Sequence, residues 1–389
     1  MNRFLLTFIN FCFIVTILAS CISESKRGIT IPPVPEVTEK ARRDAAIAFL
    51  TDAIDAAPNS SENYYKRSLL LLENEKIKEA LEDINNAIGI KPNVGSYFQA
   101  KALILRASGE PRLALEAASK AEVLNIESPE LFTLLGDLYQ QLRQFGTARS
   151  YLRKALQISP NNGETYFYQG EIAAKTADTT TALALYQQTL GLKPSFLPAY
   201  LKLIQVHTNL KQYDLALLYS QEALKYHPKS APLYFQRGNT YQRAWKFDSA
   251  VQCYSKAILL DTNFVQASFS AGMIYFKTRA FKFALPYFER TYKHNPKYPD
   301  ARYYVAQCLE FTGQYEKAEE YYNQMLSENN QDYRAIDGVS RAQRKQLYGE
   351  YMPNFDLKYD TAAFPKFEMP KRSSVDTNLL KPIQSKGIN

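Results

Sequence analysis

Hydrophobic positions in the stretch beginning at Leu197 follow the turn of a helix. Tyr200, Leu203, Ile204, His207 and Leu210 recur near a 3.6-residue period, and Tyr213, Ala216, Leu217, Ser220, Ala223 and Leu224 form a second such set after a short break. The spacing predicts two amphipathic helices, each with one apolar face and neither able to bury that face alone.

The same pair recurs along the chain. Ala46, Ala80, Ala114, Ala148, Ala182, Ala216, Ala250, Ala284 and Ala318 are each 34 residues apart, with no insertion breaking the register. A second position of this frame holds Pro58, Pro92, Pro160, Pro194, Pro228 and Pro296, with Ile126, Thr262 and Asn330 where proline is missing. A third holds small residues, Ser68, Ala102, Gly136, Gly170, Gly238, Gly272 and Ala306, and Ile204 is the exception. A fourth is aromatic in Tyr64, Phe98, Phe132, Tyr166, Tyr200 and Tyr234, and departs to Ser268 and Arg302 in the last copies. Small residues where two helices cross allow close approach, and proline after the second helix stops its propagation.

These positions resemble the tetratricopeptide repeat. The resemblance covers residues 61–332 as eight full repeats starting at Ser61, Gly95, Pro129, Gly163, Leu197, Ala231, Val265 and Pro299. It implies an all-α fold, a right-handed α-α superhelical solenoid of helix-turn-helix repeats. Residues 39–60 carry Ala46 and Pro58 in register and read as an N-terminal half repeat, a lone second helix. Residues 333–348 read as a C-terminal capping helix with Ile336 and Val339 inward and Arg334, Arg341, Arg344 and Lys345 outward. Over residues 349–389 the periodicity ends and Pro353, Pro365, Pro370 and Pro382 preclude long helices. That segment reads as a flexible tail, with packing of Phe355, Tyr359, Phe364 and Phe367 along the solenoid as the alternative.

Composition agrees with stacked helices. Hydrophobic residues make up 46% of the chain, with 28 Tyr and 22 Phe to fill a core, while 15 Gly are too few for a fold built from many glycine turns. The net charge of +8 is spread through the repeats without a dense basic run, and reads as a solvated face rather than a nucleic-acid groove.

The amino terminus has a layout of its own. Arg3 is followed by an apolar stretch from Phe4 to Leu18 and by small residues at Ala19 and Ser20. That is the pattern of a signal peptide over residues 1–20, too short and too interrupted for a permanent span. Leu18-Ala19-Ser20-Cys21 resembles the lipobox of bacterial lipoproteins, which implies cleavage before Cys21 and acylation of that residue. Residues 21–38, with Pro32, Pro33 and Pro35, read as a spacer between lipid and folded body. Ile22 stands where an aspartate would mark inner-membrane retention, so an outer-membrane lipoprotein facing the periplasm or the exterior is expected.

Chemistry is sparse. Cys12, Cys21, Cys253 and Cys308 form no CxxC pair, and His207, His227 and His294 lie too far apart in the repeat frame to share a metal. No phosphate-loop, dinucleotide, zinc-protease or nucleophile-elbow string occurs, so a protein-binding scaffold without catalysis, cofactor or metal is expected.

In the family that the repeats resemble, the fifth, ninth and twelfth positions line a concave peptide groove. Here they give Phe167 and Glu171; Gln205; Phe235, Asn239 and Gln242; Phe269, Met273 and Phe276; and Tyr303, Gln307 and Glu310. Rings alternate with amides, a surface suited to an extended segment, although the rings have packing between helices as their alternative role. The fifth position is never lysine, which speaks against a clamp for a terminal carboxylate. The expected function is assembly of a bacterial envelope complex serving secretion, pili, the cell wall or outer-membrane insertion. Self-association is the first alternative and a cell-wall enzyme the second.

Overall fold

A computed structural model describes residues 38–349, where the backbone forms eighteen α-helices and no strand. Helix α1 (Glu39–Ala56) precedes eight hairpins. These pair α2 (Ser61–Glu73) with α3 (Ile77–Ile90), α4 (Gly95–Ala107) with α5 (Pro111–Val123), α6 (Pro129–Gln141) with α7 (Phe145–Ile158), and α8 (Gly163–Lys175) with α9 (Thr179–Leu192). They continue with α10 (Leu197–Asn209) and α11 (Tyr213–Tyr226), α12 (Ala231–Arg243) and α13 (Phe247–Leu260), α14 (Val265–Lys277) and α15 (Phe281–His294), and α16 (Ala301–Phe311) and α17 (Tyr315–Glu328). Helix α18 (Tyr333–Tyr348) follows. The chain divides into two compact units, Met1–Leu260 with α1 to α13 and Asp261–Asn389 with α14 to α18. Within each unit every helix packs on its neighbours in sequence, the all-α solenoid arrangement expected from the 34-residue period.

The alanine of the frame sits where the two helices of a hairpin meet. Ala80, Ala114, Ala148, Ala182, Ala216, Ala250, Ala284 and Ala318 are all 0% exposed. Ala46 holds the same position in α1 but is only half-buried, and among the described residues no first helix pairs with α1.

Each first helix ends the same way. The amide of Lys76 donates to Leu71 O at 2.9 Å and that of Glu75 to Leu72 O at 3.0 Å; Lys246 donates to Tyr241 O at 2.9 Å and Trp245 to Gln242 O at 3.1 Å. This 6→1 and 5→2 pairing requires a left-handed residue between the helices. All eight hairpins supply one: Glu75, Arg143, Ala177, Lys211, Trp245 and Arg279 at φ near +60°, and glycine only at Gly109 and Gly313.

The close helix crossings are built from unequal partners. A Cβ on Gly170 would lie 2.7 Å from Cε1 of Tyr186, and one on Gly238 would lie 2.6 Å from Cε1 of Tyr254. Both tyrosines are fully buried in the hairpin of their glycine. Where the small residue is replaced by Ile204, the facing position holds Ser220, also fully buried, so bulk is exchanged across the crossing.

Helix α18 differs from its sequence reading. Its buried residues are Ala335, Gly338 and Ala342, while Ile336 is 43% exposed. Arg341 and Lys345, expected outward, turn inward to Glu310 at 3.0 and 2.9 Å, because that buried carboxylate needs cations. The segments read from the sequence as a signal peptide, as Cys21 with its spacer up to residue 37, and as a tail from residue 350 lie outside the described residues. No helix of the described residues is long and apolar enough to cross a membrane.

Candidate partner-binding face

The fifth, ninth and twelfth positions of each repeat share a face of its first helix, but the structure divides them into ties and free groups. In the first unit, Phe167 is 7% exposed and packs on Tyr168, Tyr186 and Phe196 at centroid distances of 5.4, 5.6 and 5.2 Å. Glu171 accepts the hydroxyl of Tyr186 at 2.5 Å and pairs with Lys202 at 2.9 Å. Phe235 packs on Tyr254 at 5.7 Å. The Tyr254 hydroxyl lies 2.8 Å from Asn239 Oδ1 and 2.6 Å from Gln242 Oε1, sharing one proton between them. Gln205 is exposed.

In the second unit, Phe269 contacts Phe288, Tyr298 and Tyr304, and Phe276 contacts Phe281, Phe288, Tyr304 and Phe311, with Met273 packed on the same core. Gln307 donates to the Tyr303 hydroxyl at 2.8 Å, and Arg334 stacks over the Tyr303 ring at 4.8 Å. Glu310 is 2% exposed, held by Arg341, Lys345 and the hydroxyl of Tyr322. Burial works to raise its pKa, but the hydrogen bonds and charges of Arg341 and Lys345 outweigh that and hold the carboxyl below its ordinary value.

The cause lies on the second helix. Tyr186, Tyr254 and Tyr322 occupy one repeat position and bring their hydroxyls to the ninth or twelfth position of their own repeat, which is Glu171, Asn239 with Gln242, or Glu310. In the hairpin of α14 and α15 that position is Phe288, without a hydroxyl, and the ninth and twelfth residues are Met273 and Phe276. The polar character of these groove residues therefore follows a buried hydroxyl rather than a ligand.

A connected polar row on the earlier first helices was not read from the sequence, because the groove reading began at Phe167. Arg106 donates to Asp137 Oδ2 and to the Tyr168 hydroxyl, both at 3.1 Å, joining α4, α6 and α8. Gln140 and Gln141 donate to Asp137 Oδ1, each at 3.0 Å, and Lys175 donates to Gln140 Oε1 at 2.6 Å. Burial, then the Asp137 charge, raises the pKa of Tyr168 well above that of a free phenol. The available signal was charge at inward positions, Arg106 at a twelfth and Asp137 at a ninth.

Beside this row the first unit holds a cavity of about 330 Å³ whose walls include Glu171, Lys175, Thr179, Lys202, Gln205 and Asn209, over Ala182 and Tyr186. The three histidines are held within the fold. His207 is 6% exposed, stacks on Tyr219 at 5.4 Å and donates from Nδ1 to Gln212 Oε1 at 2.7 Å. His227 bonds Ser195 O at 2.6 Å, and His294 bonds Asn263 Oδ1 at 2.9 Å. Cys253 and Cys308 are free thiols, and burial pushes Cys308 up to about 12. Among the described residues no group of three His, Cys, Asp or Glu could hold a metal ion.

Comparison with known proteins agrees with this architecture. Residues 61–94, 129–162 and 231–264 match one tetratricopeptide-repeat model, and residues 276–340 match another. The first three ranges begin at Ser61, Pro129 and Ala231, in register with the alanine frame. These matched ranges of the chain are thus tetratricopeptide repeats. A TPR repeat-containing protein of Methanocaldococcus jannaschii is 30% identical over 112 residues, which is 29% of this chain and only 20% of that relative. Among solved structures, yeast Tom70 superposes with a TM-score of 0.53 at 16% identity, covering 82% of this chain and 67% of its own. The Cut9–Hcn1 hetero-tetramer of the APC/C gives 0.46 at 18% identity, over 70% of this chain and 47% of its own. At these identities the structural likeness concerns the fold alone.

Proposed function

We propose that this chain is a membrane-tethered scaffold that holds an extended segment of a partner protein along the first helices of its repeats, serving assembly of a bacterial envelope complex. One observation carries the reading. Although most of the expected groove residues are internal ties, the first unit keeps an open cavity on that face, with Gln205, Asn209 and Lys175 exposed among apolar side chains at its walls. Amides and an ammonium placed beside apolar side chains suit main-chain hydrogen bonding to an extended peptide. The tether rests on Leu18-Ala19-Ser20-Cys21, and several acyl chains on one residue would anchor stably where a single chain would not.

The test is capture from detergent-solubilised envelopes, with bound proteins identified. Gln205→Ala, Asn209→Ala and Lys175→Ala together are expected to abolish recovery of the specific partner while the helical signal stays unchanged; unchanged recovery refutes the reading. Cys21→Ala is expected to move the chain from the membrane fraction to the soluble one, and retention in the membrane refutes the tether alone.

A second reading, self-association, is favoured by helix α18. Tyr333, Leu347 and Tyr348 are 83%, 76% and 61% exposed there. Sedimentation of residues 22–389 across dilution discriminates, since a stable oligomer without partner supports this reading and a monomer at all concentrations removes it.

A further inference from the structure

The cavity on the first unit is not electrically balanced. Lys202 is neutralised by Glu171, 2.9 Å away, and Glu171 is further satisfied by the Tyr186 hydroxyl. Lys175, on the same walls, is held instead by a neutral amide, Gln140 Oε1 at 2.6 Å. That amide has no freedom to turn, because its Nε2 donates to Asp137 at 3.0 Å and so directs Oε1 to the lysine. Asp137 in turn is neutralised by Arg106 at 3.1 Å. The nearby carboxylate of Asp137 is thus already answered, and only a dipole is passed on to Lys175. Asp178, next to the wall residue Thr179, caps α9 by accepting from Thr181 N at 3.0 Å. The charged residues that line the cavity are Lys175, Lys202 and Glu171, which sum to one positive charge.

We propose that this cavity receives one carboxylate side chain, aspartate or glutamate, of the extended segment bound along the face; the proposal rests on the groove reading above. An ammonium with one donor engaged keeps two for an incoming anion. Thr179 and Asn209 add neutral donors at the same wall. A monoanion matches the charge, whereas a phosphate monoester of nearly two charges exceeds it. At about 330 Å³ the space lies at the small end of ligand pockets, which suits one side chain rather than a folded surface. Ala174, Ala182, Val206 and Leu210 supply apolar contact for the stem of that side chain.

The test uses fluorescein-labelled nonapeptides of alternating alanine and leucine, blocked at both ends, with Glu, Asp, Gln, phosphoserine or Lys at the centre, plus the Gln peptide with a free carboxyl terminus. Anisotropy is read against the full chain in detergent. The Glu or Asp peptide is expected to bind roughly tenfold tighter than the Gln peptide at low salt, the effect of one charge-assisted contact. Lys175→Met is expected to reduce that preference to within about twofold, and Lys175→Arg to retain it. Lys175→Met leaves the buried Gln140 Oε1 without its donor, so a thermal melt first establishes that each variant is folded at the assay temperature, and the preference is read as the ratio of Glu to Gln peptide on the same protein. Equal binding of Glu and Gln peptides overturns the proposal and leaves the groove intact. It is also overturned by a preference that survives Lys175→Met, by tighter binding of the phosphoserine peptide, or by a preference for the free terminus over internal Glu. Failure of every peptide to bind counts against both the proposal and the groove.

Discussion

The phenolic hydroxyl of Tyr254 lies 2.6 Å from Oε1 of Gln242, on the first helix of its own hairpin. The ring of Tyr254 is completely buried and its oxygen has nowhere else to go, so the inward face must supply an acceptor. The same demand recurs at Tyr186 and Tyr322 and is absent at Phe288, whose counterparts are Met273 and Phe276. A residue on the inner face of a helical repeat can therefore be polar for the sake of the core behind it.

Tyr254→Phe should destabilise the first unit by about 1 kcal/mol, the net worth of a buried hydrogen bond, since Asn239 and Gln242 keep access to solvent. Phe288→Tyr should be worse, by about 1–3 kcal/mol, because the new hydroxyl would meet a thioether and a ring in place of an amide. Urea denaturation of each variant checks the order, and equal effects would dissociate the inner polar residues from the buried hydroxyl.

Gly238 and Tyr254 are also steric partners. Gly238→Ala would press a methyl carbon to 2.6 Å from the ring and should destabilise by about 1–3 kcal/mol despite the better helix propensity of alanine. The pair Ile204 and Ser220 shows how the crossing accepts bulk from the other side. Gly238→Ile with Tyr254→Ser should accordingly be less damaging than the sum of the single changes, with a coupling of about 1 kcal/mol or more in a double-mutant cycle.

Much of this was legible from residue type and spacing. Alanine at one position and a small residue at another report helix contacts directly, because close approach admits few side chains there, so the hairpins and their register follow from the sequence. The candidate face was less legible, because direction along a side chain is not periodic. Glu171, Asn239 and Glu310 stand at groove positions, yet their acceptors are claimed by hydroxyls that reach through the hairpin. Lys175 was overlooked for the opposite reason, since it occupies none of the three positions considered and gains its meaning from Gln140 and Asp137 on the preceding hairpin.

The left-handed residue at the end of each first helix supplies a further prediction. Ala177 at φ +63° and Lys211 at φ +60° hold a conformation that places Cβ against the following carbonyl. Ala177→Gly and Lys211→Gly should each stabilise by about 0.5–1 kcal/mol, after the greater freedom of glycine in the unfolded chain is deducted. Gly109→Ala, at φ +81°, should lose about 1 kcal/mol. Shifts of urea midpoint of the stated sign check all three, and a loss on Ala177→Gly would show that the turn is held by its side chain.

The pairing of Glu310 with Arg341 and Lys345 makes the docking of α18 depend on pH. In the folded chain the Glu310 carboxyl titrates below the ordinary glutamate value of about 4.3 that it has when unfolded, so the unfolded chain binds more protons as the medium is acidified. The stabilisation is therefore complete above about pH 4.5 and is lost as pH falls through the lower folded value. Exchange protection of the α18 amides, measured from pH 7 downward, should hold steady to about pH 5 and then fall relative to that of α14. Glu310→Gln should remove this acid dependence and destabilise α18 at neutral pH by about 2 kcal/mol. That is less than for a fully buried pair, because the side chains of Arg341 and Lys345 remain 29% and 25% exposed and are partly rehydrated. An acid-induced loss of protection in Glu310→Gln equal to that of the parent would place the titrating group elsewhere.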